Sequence, residues 1–281
     1  METVDLRPMT LGEVLDRTFT LYREHFLLFV GITALPHLLT LLFNFGVLSF
    51  QRTSVTGTTP HMPSPGVIGG FVAGALGGAA LVLLTVGIAQ AATVAAVSDL
   101  YLGQPASVRS SYARAKGSIM VVIAIIIMSG LATAVGLIFL IIPGIYLACR
   151  LAVSVPVAIV EKESPVASME RSMQLTKDYG WQMFLLFLLV AVLTYVVAIL
   201  LQLPVLFSTI SATMARRQPS IGVTAYSYVA GFVSQVIVGP IGTISASLMY
   251  YNLRVRKEGF DIQHLLGSLD SAPRPLSLGP R

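Results

Sequence analysis

Ser164–Trp181, SPVASMERSMQLTKDYGW, is a long polar interval set between two apolar runs. Wound at about 100° per residue, it brings Lys177, Glu170, Gln174, Asp178 and Arg171 onto about a third of the circumference. Leu175, Met169, Met173 and Val166 lie on the rest, among small hydroxyl residues. The pattern predicts a helix lying on a surface with its charged stripe toward water. An apolar run begins at Trp181 and continues to about Thr213, so this surface helix leads straight into a membrane span.

The rest of the chain has the same character. Hydrophobic residues make up 55% of the 281 residues and charged residues 11%, against about half and a quarter in soluble domains. The apolar runs reach the length of about 20 residues that a helix needs to cross a bilayer core. They lack the alternating segments of about ten residues expected of a β-barrel. The composition therefore predicts an all-α polytopic membrane protein. Cys149 is the one cysteine and lies inside an apolar run, which excludes an intramolecular disulfide and argues against a Cys-based metal site. The first apolar run, Phe26–Phe50, is too long for a signal-peptide core and is expected to remain as a span.

In chain order the expected spans are Phe26–Phe50, Val67–Val97, Ile119–Ile142, Ile145–Val160, Trp181 to about Thr213, and about Gly222–Tyr251. Pro143-Gly144 is read as the break between the third and fourth, and Gln51–Gly66 as a loop. Thr10 and Glu13 have capping-box spacing at the start of a first surface helix. A third surface helix is expected after Pro105, within the polar interval Asp99–Ser118. Six spans put both termini on one side. If that side is the cytoplasm, fourteen Lys and Arg lie inside, while the outer loops hold Arg52, Arg216 and Arg217. The positive-inside rule selects this orientation in a plasma membrane.

The first surface helix and the opening stretch also align without a gap. DRTFTLYREHF (Asp16–Phe26) lies over ERSMQLTKDYG (Glu170–Gly180) at an offset of 154 residues, with Arg and Leu identical and four conservative pairs. The expected organisation is one membrane domain over residues 1–266, made of three surface-helix-plus-hairpin units (about 1–97, 98–160 and 161–266), with 267–281 a disordered cytoplasmic tail rich in Pro and Ser.

Three stretches together, RPMTLGEVLDRTFTLYREHF, IIPGIYLACR followed by RSMQLTKDYGW, and YYNLRVRKEGFD, resemble a bacterial integral-membrane family. That family is annotated by similarity to the membrane domain of glycerophosphoryl diester phosphodiesterase. In the enzyme that names it, catalysis belongs to a separate soluble barrel domain, for which this chain has no room. The resemblance therefore implies a membrane module and supplies no catalytic residues. Its closing motif often reads Tyr-Tyr-Asp-Leu-Arg, and Asn252 stands here in place of the Asp.

Candidate sites are few. Arg150 is a charge inside a span, the most expensive kind of residue to place there. Asn44, Gln90, Gln202 and Gln235 are neutral polar residues inside spans, suited to interhelical hydrogen bonds or to lining a cavity. Gly66, Gly70, Gly74 and Gly78 recur every four residues and predict close helix packing. Pro36, Pro156, Pro204 and Pro240 interrupt spans at different depths. The histidines, His37 among them, are scattered without ligand spacing, so no metal or cofactor is expected. Arg17, Arg23, Arg171, Lys177, Arg254, Arg256 and Lys257 are the candidate contacts to anionic phospholipid headgroups. The expected function is a non-catalytic membrane module that engages lipid, itself or a membrane-protein partner, with no nucleic acid. The alternative is a transporter or channel for a small solute or lipid, which would gather Arg150 and the buried amides at a polar cavity.

Overall fold

The computed structural model describes residues 8–55, 65–217 and 220–259, which are helical apart from short connections. Among the described residues ten α-helices follow one another: α1 Leu11–Glu24, α2 Phe26–Val55, α3 Pro65–Tyr101, α4 Val108–Ala115, α5 Ile119–Phe139, α6 Ile141–Leu151, α7 Ser154–Val160, α8 Pro165–Leu175, α9 Gly180–Met214 and α10 Ile221–Glu258. Within the described residues six stretches are long and apolar enough to cross a membrane: Phe26–Phe50, Gly69–Tyr101, Val108–Phe139, Ile141–Val160, Gly180–Met214 and Ile221–Glu258. The protein is all-α and has the helix content of a multi-pass membrane protein.

Local chemistry sets the helix starts. Thr10 and Glu13 form a reciprocal capping box, with the Glu13 N–H donating to Thr10 Oγ1 (3.4 Å) and the Thr10 N–H donating to Glu13 Oε2 (2.6 Å). Ser107 caps α4, and Ser164 caps α8 with Pro165 in its first turn, where a missing N–H costs nothing. At the other end of the chain α10 stops at Gly259, whose φ of 59° is left-handed.

Burial is concentrated at one end of the bundle. Every residue of 91–99 in α3 and 244–253 in α10 is buried. The α3 stretch is built mostly of Ala, Val and Thr, so the neighbouring backbones pack close. The short helices α1, α4, α7 and α8 wrap these two segments as a collar. At the opposite end large apolar side chains such as Leu76, Leu200 and Phe207 are exposed, as a surface in contact with hydrocarbon requires.

Several boundaries differ from the sequence expectation. The turn between α5 and α6 lies at Leu140, whose backbone is extended (φ −162°, ψ 140°), and not at Pro143-Gly144. Pro143 instead falls in the first turn of α6, and Gly144 packs against α5, where an added Cβ would stand 2.6 Å from the Leu137 backbone nitrogen. The fourth span is broken at Ala152–Val153, and its second piece, α7, belongs to the collar. Asp99, expected to open the polar interval after the second span, lies within α3, 6% exposed and ion-paired with Arg114. Helix α10 continues seven residues past Tyr251, because Asn252, Leu253 and Val255 are collar core. Helix α8 ends at Leu175, so Lys177 and Asp178 follow the helix and do not extend its charged stripe. Helix α2 runs to Val55 and α3 starts at Pro65, which shortens the expected loop from both sides. The tail 267–281, His61 and His264 lie outside the described residues.

The aligned segments share a buried face. Val14, Thr18 and Leu21 of α1 are buried, and so are their counterparts Ser168, Ser172 and Leu175 of α8.

Candidate ligand-binding site

Helices α2, α3 and α10 pack against one another and enclose polar space between them. The two prolines at its inner end, Pro36 of α2 and Pro240 of α10, each lack the N–H that would bond the carbonyl four residues earlier. Those carbonyls find partners on neighbouring helices. Ile32 O accepts from the Tyr112 hydroxyl of α4, and Val236 O from the Thr33 hydroxyl (3.1 Å), which also donates to Phe29 O (2.9 Å). Tyr22 of α1 donates to Ile237 O at 2.6 Å. The two freed carbonyls, though not the prolines themselves, lie near one level, and each is taken up by a hydroxyl of a neighbouring helix.

Above this level lies a cavity of about 270 Å³, lined by His37, Thr40, Asn44, Thr85, Tyr228 and Gln235 among others. A narrower extension of about 50 Å³ continues toward the collar past Thr33, Gln90 and Thr243, and shares His37 and Gln235 with the main space. Thr40 and Thr85 hydroxyls bridge α2 and α3 at 3.1 Å. His37 Nδ1 lies 2.8 Å from Thr33 O, which can only accept, so Nδ1 carries the proton. Nε2 of the neutral ring is then an acceptor, and it is buried without a protein partner.

In the other direction, Asn44 is shared with an apolar groove of about 630 Å³ between α2 and α3. Phe43, Val47 and Phe50 form one wall; Gly70, Gly74 and Gly78 form the other. A Cβ on Gly78 would meet Phe43 Cε1 at 3.0 Å, whereas Gly70 and Gly74 face open space. The glycine stripe closes the helices together at Gly78 alone and leaves a trough beyond it. Gly66 is exposed at the start of α3.

Of the five intramembrane polar candidates, Asn44, Gln90 and Gln235 converge on this space. Gln202 does not: its Nε2 donates to Ser227 O at 3.4 Å and clasps α9 to α10. Arg150 does not join them either. It ends α6 at the collar, where its carbonyl accepts from Ser172 (2.8 Å) and Thr176 (3.1 Å).

The seven basic candidates divide. Arg17, Arg23 and Lys177 are exposed. Arg171 binds Glu161 and Glu258, and Arg254 donates to Glu258 Oε2 (3.0 Å) and lies near Glu161 (3.9 Å). Tyr250 donates to Glu161 Oε1 at 2.8 Å and completes this network of α7, α8 and α10. Burial would lower the Arg171 pKa, but hydrogen bonds and charge from Glu258 and Glu161 outweigh it and hold the guanidinium above its ordinary value. Lys257 donates to Asp178 and to Gln174 O, both at 3.0 Å. Arg256 donates to Met9 O (2.7 Å) and Asn252 Oδ1 (3.3 Å). Asn252 completes a two-point pair with the Met9 peptide unit, accepting from its N–H (2.8 Å) and donating to its carbonyl (3.0 Å). An ionised Asp, an acceptor only, could not make that second bond.

His37 is the site residue that sequence reasoning missed. The signal was spacing. Thr33, His37 and Asn44 share a face of α2, and Ser227, Gly231, Gln235, Gly239 and Thr243 recur every fourth residue of α10. No family model, curated protein or solved structure matches the chain.

Proposed function

We propose that this protein is a non-catalytic membrane module that holds a lipid-like amphiphile within its helical bundle. The polar end of the ligand occupies the α2–α3–α10 cavity, and its chain lies in the glycine-walled groove. The observation that carries this reading is that the two spaces meet at a shared wall residue, Asn44. Their volumes fall near or within the about 300–1,000 Å³ of ligand pockets. The named polar lining is amides, hydroxyls and one imidazole, a set suited to binding an uncharged polar group. With the collar in the cytoplasm, as the positive-inside rule favours, the groove opens toward the outer leaflet. The three surface-helix-plus-hairpin units and the resemblance to the phosphodiesterase membrane family fit the same module.

Gly74→Leu and Gly231→Leu test the reading, because a side chain at either position enters open space and leaves the packing intact. Lipid co-purifying with the wild type is expected to differ from bulk membrane lipid, and each filler to reduce its amount about tenfold, or about 1.4 kcal/mol. A wild-type lipid profile equal to the bulk, unchanged by the fillers, refutes it. Loss of a dimer on filling, with no change in lipid, would mean that a second protomer occupies the groove.

One observation favours movement of the ligand as well as binding. Gln90 lines both the inner end of the cavity and a separate groove of about 440 Å³ against α5, α6 and α7. Lipid translocation in proteoliposomes, abolished by Gln90→Leu, is the corresponding expectation.

A further inference from the structure

Arg150 is a charged residue in the last turn of α6 whose Nη1 is buried and has no hydrogen-bond partner. Among the described residues no carboxylate pairs with it; Asp99, Glu161, Glu258 and Asp178 are engaged with Arg114, Arg171, Arg254 and Lys257. Its guanidinium carbon lies 5.7 Å from the Tyr146 ring centroid, so the ring covers one face, and Nε and Nη2, which are neither buried like Nη1 nor hydrogen-bonded, form the edge that stays accessible. Tyr146 is 57% exposed, and Ile142 and Ile145 on the same helix are exposed too, so this face meets lipid. The depth is set by α8. Ser172 and Thr176 hold the Arg150 carbonyl, and the chain turns four residues after Thr176 into α9. Trp181 in the first turn of α9 is 69% exposed, and Lys177 beside the turn is exposed. Exposed Trp and Tyr with Lys mark the headgroup level of a bilayer.

An unpaired guanidinium at the edge of hydrocarbon is costly unless an anion meets it. The described residues supply none, and at this depth the available anion is a lipid phosphate. We propose that Arg150 is a binding site for the phosphate of an anionic glycerophospholipid in the leaflet on the collar side. The N–H edge makes two parallel hydrogen bonds to phosphate oxygens, a geometry a lysine cannot reproduce. Tyr146 fixes the plane of the guanidinium, and the acyl chains lie along the exposed face of α6. This site is separate from the α2–α3–α10 cavity and stands whether or not that cavity holds a ligand.

The test is lipid retention by the purified full chain, read by native mass spectrometry after exchange into mixed phosphatidylglycerol and phosphatidylcholine. The wild type is expected to retain phosphatidylglycerol about tenfold over phosphatidylcholine, equivalent to about 1.4 kcal/mol. Arg150→Gln abolishes the preference, Arg150→Lys keeps a fraction of it, and Arg109→Gln, an exposed cation on α4 outside the candidate headgroup contacts, leaves it unchanged. Glycerol 3-phosphate and inorganic phosphate, added as competitors, do not displace the lipid; displacement by either assigns the site to free phosphate and overturns the lipid reading. A folded Arg150→Gln protein with an undiminished preference also overturns it. Should that variant not fold, the wild-type melting temperature decides: a rise with phosphatidylglycerol and none with phosphatidylcholine is expected, and equal effects refute the site.

Discussion

The α5–α6 hairpin presents Arg150, and it depends on two glycines. A Cβ at Gly144 would lie 2.5 Å from Leu137 Cγ and 2.6 Å from the Leu137 backbone nitrogen; one at Gly136 would lie 2.9 Å from Gly144 Cα. Backbone atoms on both sides leave no side chain to swing away. Gly144→Ala therefore forces α5 and α6 apart. Overpacking of this kind costs about 1–3 kcal/mol, and the upper half applies because the obstruction is main chain. Helix propensity returns up to about 1 kcal/mol, so a net loss of about 2 kcal/mol is expected. At about 2–4 °C per kcal/mol for a chain of this size, the melting temperature falls by about 4–8 °C. Gly130→Ala supplies the control, since its Cβ meets nothing within 4 Å and it should gain the propensity term alone. The assay is thermal unfolding in detergent followed by Trp181, the one tryptophan, at the start of the neighbouring α9. If Gly144→Ala melts with or above the wild type, the two helices do not meet at these glycines and the backbone apposition is wrong.

Asn252→Asp replaces the donor to Met9 O with a second acceptor in a side chain that is 1% exposed. Arg256 offsets part of the loss, leaving about 1–2 kcal/mol of destabilisation, seen as faster hydrogen exchange over residues 8–14. Asn252→Leu should cost more, because it leaves the Met9 N–H unpaired and removes the Asn252 Oδ1 acceptor of Arg256, while Met9 O keeps Arg256 alone. Glu161→Gln leaves Arg171 and Arg254 with one carboxylate between them, Glu258. The expected loss is about 2 kcal/mol, and adding Arg171→Leu should recover about 1 kcal/mol of it in a double-mutant cycle. Strict additivity in that cycle would show that the network is not coupled.

The spans could be read from the sequence because a bilayer demands a continuous apolar run, and that signal needs no knowledge of neighbours. Helix starts were legible for the same reason: Thr10 with Glu13, and Ser164 with Pro165, complete their chemistry within four residues. Residues that depend on a distant partner were not legible. Arg171 sits on the charged face of its helix, yet its partners Glu161 and Glu258 come from α7 and the end of α10. Asp99 opens a polar interval in sequence, yet it is buried in α3 beside a partner, Arg114, that comes from α4. The cavity was half legible. Asn44, Gln90 and Gln235 stood out as polar residues in apolar runs, but Arg150 stood out by the same criterion and lies elsewhere. Charge alone did not reveal depth; the turn at Ala152–Val153 and the hydroxyls of Ser172 and Thr176 did.

The distribution of burial explains why the cavity lies where it does. The collar packs 91–99 of α3 and 244–253 of α10 without exposure, so the bundle is held from one end. Beyond Pro36 and Pro240 the same helices carry small and polar residues on their facing sides, and packing no longer fills the space between them. Tyr112, Thr33 and Tyr22 satisfy the carbonyls at this boundary, so the change from filled core to open cavity leaves these backbone groups paired. Substitutions above the boundary should therefore change what the cavity holds with little effect on stability. Substitutions in the collar should do the reverse. That separation lets ligand occupancy be measured on variants that remain folded.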